Sequence, residues 1–309
     1  MSGGVAVSIK RSIRVSINGT EISAPEGSTI LQACRGEGID IPTLCYLERL
    51  TPVNTCRLCM VEVEGSRTLV PACSRKIELG MVIRTESDRV SRSRKMILEL
   101  LSSSVDMSIV SPELAGWMDQ YQVDGARFGP QAAPATGGER ENTHAGHHDK
   151  SDGSFAATVF EPVKIDNDQY VRDYSRCVLC YKCVEACGAD AQNTFAIAVG
   201  GRGFEAHITT EFGVPLPESA CVYCGNCVAV CPTSALMFKT EHDLRLENKW
   251  DESRQSVTRT ICPYCGVGCN LEIHVQDNRI VKVTSPMDHS VTKGMLCVKG
   301  RFGFEFIHG

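Results

Sequence analysis

The chain lacks three features that would direct it to a membrane, to nucleic acid or to secretion. No apolar run in its 309 residues approaches the roughly 20 residues that a membrane-spanning helix needs. The formal net charge of −5 and the isoelectric point near 5.9 give no positive field for nucleic acid. The N-terminal stretch lacks the charged-then-apolar layout of a secretory signal. We therefore expect a cytoplasmic protein with no membrane span and no nucleic-acid partner.

Cysteine, in contrast, is abundant, and its arrangement is the strongest signal in the sequence. Sixteen of the 17 cysteines fall into four consecutive sets of four, and Cys34 alone is left over. The odd total and the frequent C-x-x-C spacing indicate metal ligation in a reducing compartment rather than disulfides. The four sets are, in chain order, Cys45, Cys56, Cys59 and Cys73; Cys177, Cys180, Cys183 and Cys187; Cys221, Cys224, Cys227 and Cys231; and Cys262, Cys265, Cys269 and Cys297.

The second and third sets are two copies of one compact motif. Each follows the spacing C-x-x-C-x-x-C-x-x-x-C, and 33 residues separate the two runs. Zinc sites usually pair two separated C-x-x-C knuckles, whereas a single crowded run is typical of [4Fe–4S] ligation. We therefore predict an iron–sulfur cluster at each run, with zinc as the alternative.

The same motif predicts an exchange of ligands between the two runs. In two-cluster ferredoxins, the fourth cysteine of each run ligates the other cluster. Pro232 follows the last cysteine of the third set, as that motif expects. Two crossed groups result, named here site 2 and site 3. Site 2 consists of Cys177, Cys180, Cys183 and Cys231, and site 3 consists of Cys221, Cys224, Cys227 and Cys187.

The N-terminal region has the order of elements of a small β-grasp ferredoxin. Residues 12–24 alternate apolar and polar around Asn18 and Gly19, which predicts a hairpin with a primed two-residue turn. Ser28 is the predicted N-cap of a short helix that carries Cys34 on its apolar side. We expect Cys34 to be a core residue and not a ligand.

Weaker patterns organise the rest of the chain. Strands are predicted at 61–63 and 69–70, and a helix over 91–101 has its apolar residues on one face. The stretch around 129–154 is rich in Gly, Ala, Pro and Ser, which is typical of a linker. A further hairpin is predicted over 271–284. The linker also contains three histidines, interpreted as a solvated polar tract with a metal site as the alternative: His144, His147 and His148.

The first cysteine set, named site 1, has the spacing C-x10-C-x2-C-x13-C. With its flanking residues at 41–45, 56–63 and 71–73, it resembles the N-terminal [2Fe–2S] domain of three protein families. These are the large peripheral subunit of respiratory complex I, the iron-only hydrogenases and the NAD-dependent formate dehydrogenases. The resemblance implies one [2Fe–2S] cluster held by Cys45, Cys56, Cys59 and Cys73.

The fourth set, named site 4, has the spacing C-x2-C-x3-C-x27-C. It resembles the [4Fe–4S] motif that opens the catalytic part of molybdopterin-dependent oxidoreductases, above all formate dehydrogenases. In that family, the lysine two places after the final cysteine bridges the cluster and a pterin ring. Lys299 takes that place here, and an ordinary surface lysine is the alternative. The resemblance implies a [4Fe–4S] cluster held by Cys262, Cys265, Cys269 and Cys297.

Taken together, the order of modules resembles the alpha subunit of NAD-dependent, molybdenum- or tungsten-containing formate dehydrogenases. The resemblance covers nearly the whole chain but only the leading third or so of that subunit. Relatives with this order commonly hold one more cluster, on one histidine and three cysteines, before the paired clusters. Residues 102–176 contain no cysteine, so that cluster has no ligands here. Complex I subunits and iron-only hydrogenases usually have it, and its absence therefore favours the formate dehydrogenase interpretation.

We predict an α+β chain of four parts. A β-grasp [2Fe–2S] ferredoxin domain with a trailing helix occupies 1–101, and a cysteine-free helix and linker occupy 102–155. A two-[4Fe–4S] ferredoxin-like domain occupies 156–245. The start of a molybdopterin-oxidoreductase [4Fe–4S] domain occupies 246–309. The expected cofactors are one [2Fe–2S] and three [4Fe–4S] clusters.

The resemblance implies an electron-transfer role in a formate dehydrogenase complex. A molybdopterin-binding catalytic chain or domain would oxidise formate, and a flavin subunit that reduces NAD would receive the electrons. The alternatives are a subunit of a complex I-like or hydrogenase complex and a free-standing ferredoxin-like carrier. No residue pattern in this chain marks an acid–base or nucleophilic catalyst, so whether the chain is itself an enzyme stays open.

The end of the sequence carries apolar residues for which no following domain is present. We expect them to form an exposed surface that docks on a pterin-carrying chain, with Lys299 at the junction. They are Leu296, Phe302, Phe304, Phe306 and Ile307.

Overall fold

The computed structural model describes residues 11–128, 162–203 and 206–308. Strands and helices are mixed throughout these ranges, which confirms the predicted α+β class. The chain forms two compact units. Among the described residues, unit 1 comprises 11–46, 54–98 and 117–123, and unit 2 comprises 47–53, 99–116, 124–128, 162–203 and 206–308. No helix in the described ranges is both long and apolar enough to cross a membrane.

Unit 1 is built on a five-stranded sheet with the spatial order β2-β1-β5-β3-β4. Strand β1 pairs with β2 antiparallel and with β5 parallel. The strands are β1 (Ser12–Ile17), β2 (Thr20–Pro25), β3 (Met60–Val63), β4 (Val70–Pro71) and β5 (Val82–Arg84). Helix α1 (Ile30–Gly36) lies in unit 1, α2 (Asp88–Ser104) begins in unit 1, and α3 (Pro112–Gln120) ends in unit 1. The strands predicted near 61–63 and 69–70 are confirmed by β3 and β4.

The first hairpin forms where the alternating pattern predicted it. Val15 and Ile17 face the core and are at most 2% exposed. Asn18 and Gly19 have φ values of +52° and +85°, which a primed turn requires. The Asn18 side chain also accepts a hydrogen bond from the Thr85 backbone at 2.9 Å and donates to its hydroxyl at 2.7 Å. The turn is therefore fixed both by its own backbone and by a neighbouring loop.

Helix α1 begins one residue later than predicted. Its N-cap is Thr29 and not Ser28, because the Thr29 hydroxyl accepts from the Gln32 backbone while the Gln32 side chain accepts from Thr29 N. Cys34 is fully buried in the same core as Val61 and Ile83, and this confirms that it packs in the interior. Helix α2 covers the predicted 91–101 and extends it at both ends.

Unit 2 contains the two compact cysteine runs and a separate three-stranded sheet. Helices α4 (Lys182–Cys187) and α5 (Asn226–Ala229) each begin within a run, and α6 (Lys239–Leu246) follows the second. Short antiparallel pairs form between β6 (Tyr170–Arg172) and β9 (Leu236–Phe238), and between β7 (Ala198–Gly200) and β8 (His207–Thr209). The second sheet has the order β10 (Ser256–Ile261), β11 (Asn270–Gln276), β12 (Arg279–Thr284), and α7 (Val298–Phe302) follows it.

The predicted hairpin over 271–284 is confirmed by β11 and β12. Asp277 and Asn278 have φ values of +52° and +60°, as a two-residue primed turn requires. Strand β10 was not predicted from the sequence, and its residues are all exposed. The linker predicted around 129–154, with its three histidines, lies outside the described residues.

The predicted exposed C-terminal surface is partly wrong. Leu296 and Phe302 are only 4% and 6% exposed. Leu296 packs with Cys262, Leu271 and Val283, whereas Phe302, on α7, packs in the core of the ferredoxin-like part. The Phe302 ring lies 6.2 Å from the Tyr170 ring, in a stacked arrangement, and 5.7 Å from the Phe238 ring. Phe304 is also partly buried against β11 and β12, so of the five predicted residues only two are largely exposed: Phe306 and Ile307.

Candidate metal centres

Site 1 lies within unit 1, on the loop between α1 and β3 and just beyond β4. Cys45, Cys59 and Cys73 are buried, and Cys56 is half-buried. A hydrogen bond from Cys56, helped by backbone N–H groups, lowers the pKa of Cys45 to about 5. The Cys59 thiol likewise lowers the pKa of Cys73. The structure therefore brings the four thiols together as two hydrogen-bonded pairs, in surroundings that favour thiolate at Cys45 and Cys73.

The thiols of site 2 meet around Cys183. Burial raises the pKa of Cys183 well above its ordinary value, and the next contributions come from the charges of Cys180, Cys177 and Cys231, followed by Cys227 of site 3. Cys231 belongs to the other run and acts on Cys183 together with the first two cysteines of the same run. These contributions agree with the crossed grouping that the motif predicts, and the ligation itself stays a prediction.

Site 3 has the reciprocal arrangement. Burial raises the pKa of Cys227, and the strongest charge contributions come from Cys224, Cys187 and Cys221. The four sulfur-bearing residues line one cavity, together with Tyr170 and Thr194. Site 3 is therefore a cavity with four cysteines in its wall, one of which comes from the second set.

Two hydroxyl groups contact the sulfurs of site 3. The Tyr170 hydroxyl lies 3.1 Å from Cys221 Sγ, and the Thr194 hydroxyl lies 3.4 Å from Cys187 Sγ. Burial raises the pKa of Tyr170, so the phenol keeps its proton and can donate it to a thiolate. The backbone N–H of Tyr223 also donates to Cys221 Sγ, at 3.4 Å. Donors of this kind adjust the reduction potential of a cluster held by these sulfurs.

Site 4 lies between β10 and α7 in unit 2. Cys262 is buried and Cys269 half-buried, whereas Cys265 and Cys297 are exposed. Burial raises the pKa of Cys269, and the charges that add to this effect are those of Cys262, Cys265 and Cys297. The loop closes through a hydrogen bond from Cys262 N to Cys269 O at 2.7 Å. The four thiols of this site are therefore brought together on one open side of the unit.

Lys299 is exposed on α7, two residues after Cys297. Its position agrees with the spacing that suggested a pterin contact, and that contact stays a prediction.

The donor chemistry of these sites fits iron–sulfur clusters. Within the described ranges, no three His, Cys, Asp or Glu side chains stand close enough to hold a single metal ion. Site 3 instead spreads four sulfur donors around the wall of a cavity, with hydroxyl and amide donors directed at two of them. Sulfur-only donor sets with such hydrogen bonds are typical of iron–sulfur ligation.

The sequence interpretation missed one buried side chain beside these sites. Arg301 has no solvent exposure, and its guanidinium donates to the backbone of Cys224 at 2.8 Å. One signal could have indicated it. The two runs match closely, but Tyr181 of the first run is replaced by Gly225 in the second, and this difference leaves space for another side chain.

Comparison with known proteins supports the modular organisation. A 2Fe-2S iron-sulfur cluster binding domain matches residues 10–88, and a 4Fe-4S binding domain matches twice, at 170–192 and 214–237. A molybdopterin oxidoreductase Fe4S4 domain matches residues 255–309. The chain is therefore an iron–sulfur protein of the electron-transfer type, composed of these three kinds of domain.

Its relatives are longer proteins with several names. The chain is 33% identical to an NADH-quinone oxidoreductase subunit of Rhizobium meliloti (strain 1021), over 96% of this chain and 31% of the relative. It is 32% identical to the NADPH-Fe(3+) oxidoreductase subunit alpha of Geobacter sulfurreducens, over 96% and 32% respectively. A putative formate dehydrogenase of Staphylococcus haemolyticus is 25% identical over 95% of this chain and 31% of that relative. The chain thus spans about a third of the length of these relatives.

A solved structure shares the fold. The crystal structure of an NAD+-reducing [NiFe]-hydrogenase in the H2-reduced state superposes with a TM-score of 0.58 at 22% identity. The match covers 74% of this chain and 87% of that one. At this identity the likeness concerns the fold alone.

Proposed function

We propose that the chain is the iron–sulfur electron-transfer part of a cytoplasmic formate dehydrogenase complex. The observation that carries the proposal is the order of the sites. A motif of the molybdopterin-oxidoreductase type, two 4Fe-4S binding motifs and a [2Fe–2S]-type domain occur in one chain. Formate would lose two electrons and one proton to become CO2 at a molybdenum or tungsten pterin centre in an adjoining chain or domain. The electrons would leave toward a flavin subunit that reduces NAD.

The residues of this chain have a positioning role in that reaction. The clusters, when bound, would accept and pass on single electrons. The sixteen cysteines of sites 1–4 would hold them, and the Tyr170 and Thr194 hydroxyls would donate to sulfurs of site 3. Lys299, exposed beside site 4, would contact the pterin of the adjoining part.

A second candidate is supported by the names of the relatives. A complex I-like or hydrogenase-associated subunit would use the same sites to carry electrons from NAD(P)H or hydrogen. The lack of cysteine in residues 102–176 favours the formate dehydrogenase, since the additional cluster usual in the second class has no ligands here. A free-standing carrier ranks third, because a pterin-type cluster motif has no purpose without its pterin.

The deciding experiment uses the native complex, purified without oxygen from its own cells. We expect molybdenum or tungsten to copurify with the chain, and formate to reduce both a dye and NAD. A complex that lacks both metals and does not respond to formate would overturn the proposal. NADH- or hydrogen-driven reduction in that complex would support the second candidate, and a monomer without a large copurifying chain would support the third.

The cluster content has its own test. Metal analysis of the anaerobic protein should give about 14 iron atoms per chain if sites 1–4 hold one [2Fe–2S] and three [4Fe–4S] clusters. The spectrum should include a [2Fe–2S] signal. Zinc as the main metal would contradict the ligation of these sites, whatever the substrate of the complex.

A further inference from the structure

Arg301 is a fully buried cation that joins the backbone segments of sites 3 and 4. Its Nε donates to the Cys224 carbonyl at 2.8 Å. Its Nη2 donates to Asn226 Oδ1 at 3.1 Å and to the Gly294 carbonyl at 3.2 Å. The same Asn226 oxygen accepts from Leu296 N at 3.0 Å. The arginine therefore connects a loop of site 3 to the segment that leads into Cys297.

Arg301 differs from the other buried arginines in its counter-charges. Within the described part of the chain, no Asp or Glu pairs with it, whereas each of the others has a carboxylate partner. These pairs are Arg94 with Glu86, Arg172 with Asp166, and Arg176 with both Asp106 and Asp173. Burying a charge without a partner is costly, so the buried Arg301 guanidinium needs another source of negative charge to stabilise it.

The cysteines of sites 3 and 4 would supply that negative charge as thiolate ligands of their clusters. Arg301 Nε donates to the backbone of one of them, Cys224, and Arg301 follows another, Cys297, by four residues. A guanidinium keeps its proton in proteins, so Arg301 is charged at neutral pH. Its Nη1 is also buried and has no hydrogen-bond acceptor among the described residues. An anionic cluster would supply both the charge and the acceptor.

The internal repeat has diverged where it receives this arginine. Gly225 has a φ of +68°, and a Cβ there would lie 2.4 Å from Cδ of Arg301. The matching position in the other run is Tyr181, which adopts nearly the same φ of +62°. A side chain can therefore occur at this backbone conformation, whereas at 225 the space is taken by Arg301 and by the Phe302 ring, 3.0 Å from the added Cβ.

We propose that Arg301 is a positioning residue that couples sites 3 and 4, raising the reduction potential of the clusters they hold by its fixed positive charge. An added electron makes a cluster more negative, and a buried cation stabilises it because low dielectric and little salt weaken screening. The effect should be larger at site 3, since the guanidinium donates directly to the Cys224 carbonyl and to the Asn226 side chain in the loop of that site. This inference rests on the proposed cluster ligation.

The test measures cluster potentials by EPR-monitored redox titration of the whole chain prepared without oxygen. Removing the charge in Arg301→Met should lower one [4Fe–4S] potential by at least about 59 mV, which corresponds to a tenfold change in the one-electron equilibrium constant. Arg301→Lys, which keeps the charge, should shift it less. The [2Fe–2S] signal of site 1 is the internal reference and should not move. Arg94→Met, which removes a buried arginine of unit 1, should leave the [4Fe–4S] potentials unchanged.

A second pair of variants tests the same contact without changing the arginine. Gly225→Ala should push the guanidinium aside and lower the same potential by a smaller amount. Gly213→Ala is its matched control, because Gly213 has a similar φ of +71° and an added Cβ there has only one neighbour within 4 Å, at 4.0 Å. Full iron content with unchanged potentials in Arg301→Met would overturn the proposal, as would equal shifts in the Met and Lys variants.

Iron analysis separates this inference from the ligation on which it rests. Wild-type protein without iron would contradict the clusters themselves. If Arg301→Met alone loses iron, the test rests on Arg301→Lys and Gly225→Ala. Unchanged [4Fe–4S] potentials in both of these variants would overturn the proposal. Loss of iron in all three, with normal controls, would overturn the electrostatic role and assign Arg301 to folding.

Discussion

Replacing Cys187 by alanine tests the crossed arrangement of the paired sites. Cys187 is the last residue of α4, and its run-mates Cys177, Cys180 and Cys183 precede it. In the structure, however, its charge acts on Cys227, and its side chain lines the cavity of site 3. Alanine is a strong helix former, so the change should leave α4 intact. We therefore expect the damage to fall on site 3 and to spare site 2.

The size of the effect follows from the number of ligands. Site 3 would lose one of its four thiols, and a [4Fe–4S] cluster left with three would lose one iron or disassemble. The iron content should fall by between about one and about four of roughly 14 atoms. Cys231→Ala should give the mirror-image loss at site 2. Cys34→Ala is the matched control, because that cysteine is fully buried in the core of unit 1 and its loss should leave the iron content unchanged.

EPR-monitored redox titration can assign the damaged cluster. The signal of site 3 is the one whose potential responds to Tyr170→Phe, because the Tyr170 hydroxyl lies 3.1 Å from Cys221 Sγ. In Cys187→Ala that signal should weaken or convert to a [3Fe–4S] form. If the other signal changed instead, each run would hold its own cluster and the crossed fold would be wrong.

Three further predictions concern donors, pH and metal removal. Tyr170→Phe should lower the potential of site 3 and cost about 1 kcal/mol of unfolding free energy, since it removes one hydrogen bond but keeps the ring; an unchanged titration would contradict the donor role. Burial lowers the pKa of His274 to about 4. The unfolded chain binds a proton between that value and about 6.5 that the folded chain excludes, so stability should fall as pH drops through this window. The free energy of unfolding, measured with urea at pH 7.5 and pH 5, should change less between the two pH values in His274→Gln than in the wild type. An equal change in both proteins would refute the role of His274. Chelation of the iron should speed hydrogen exchange in 294–302, because the buried Arg301 then lacks its negative partners. Unchanged protection would argue that the clusters are not those partners.

Local patterns in the sequence predicted what is determined locally. The hairpin at Asn18 and Gly19 and the one over 271–284 follow from alternation and turn residues, and both are present. The order of the β-grasp elements and the cysteine runs were likewise predictable, because each depends on spacing or periodicity within a short stretch of sequence. The N-cap moved by one residue to Thr29, because two adjacent hydroxyl residues can each cap a helix and only the side-chain geometry selects one.

Burial that depends on distant contacts was not predictable in this way. Phe302 was expected on an exposed surface, yet it packs on Tyr170 and Phe238, far away in the sequence. The burial of Arg301 was not predicted, because arginine is rarely buried and the groups that Arg301 contacts include residues of another run. The packing of α7 against the second run buries both Phe302 and Arg301. This contact joins distant parts of the chain, so no short stretch of sequence predicts it.

The divergence within the repeat explains how two similar runs acquire different surroundings. Both runs place a residue with positive φ between their second and third cysteines, at Tyr181 and at Gly225. Lys182 follows in the first run, and Asn226 follows in the second. A lysine at 226 could not accept from Arg301 and would repel it, whereas the Asn226 oxygen accepts from both Arg301 and Leu296. Two substitutions thus turn one copy of a symmetric motif into the partner of α7, and the buried cation that enters makes the paired sites electrically unequal.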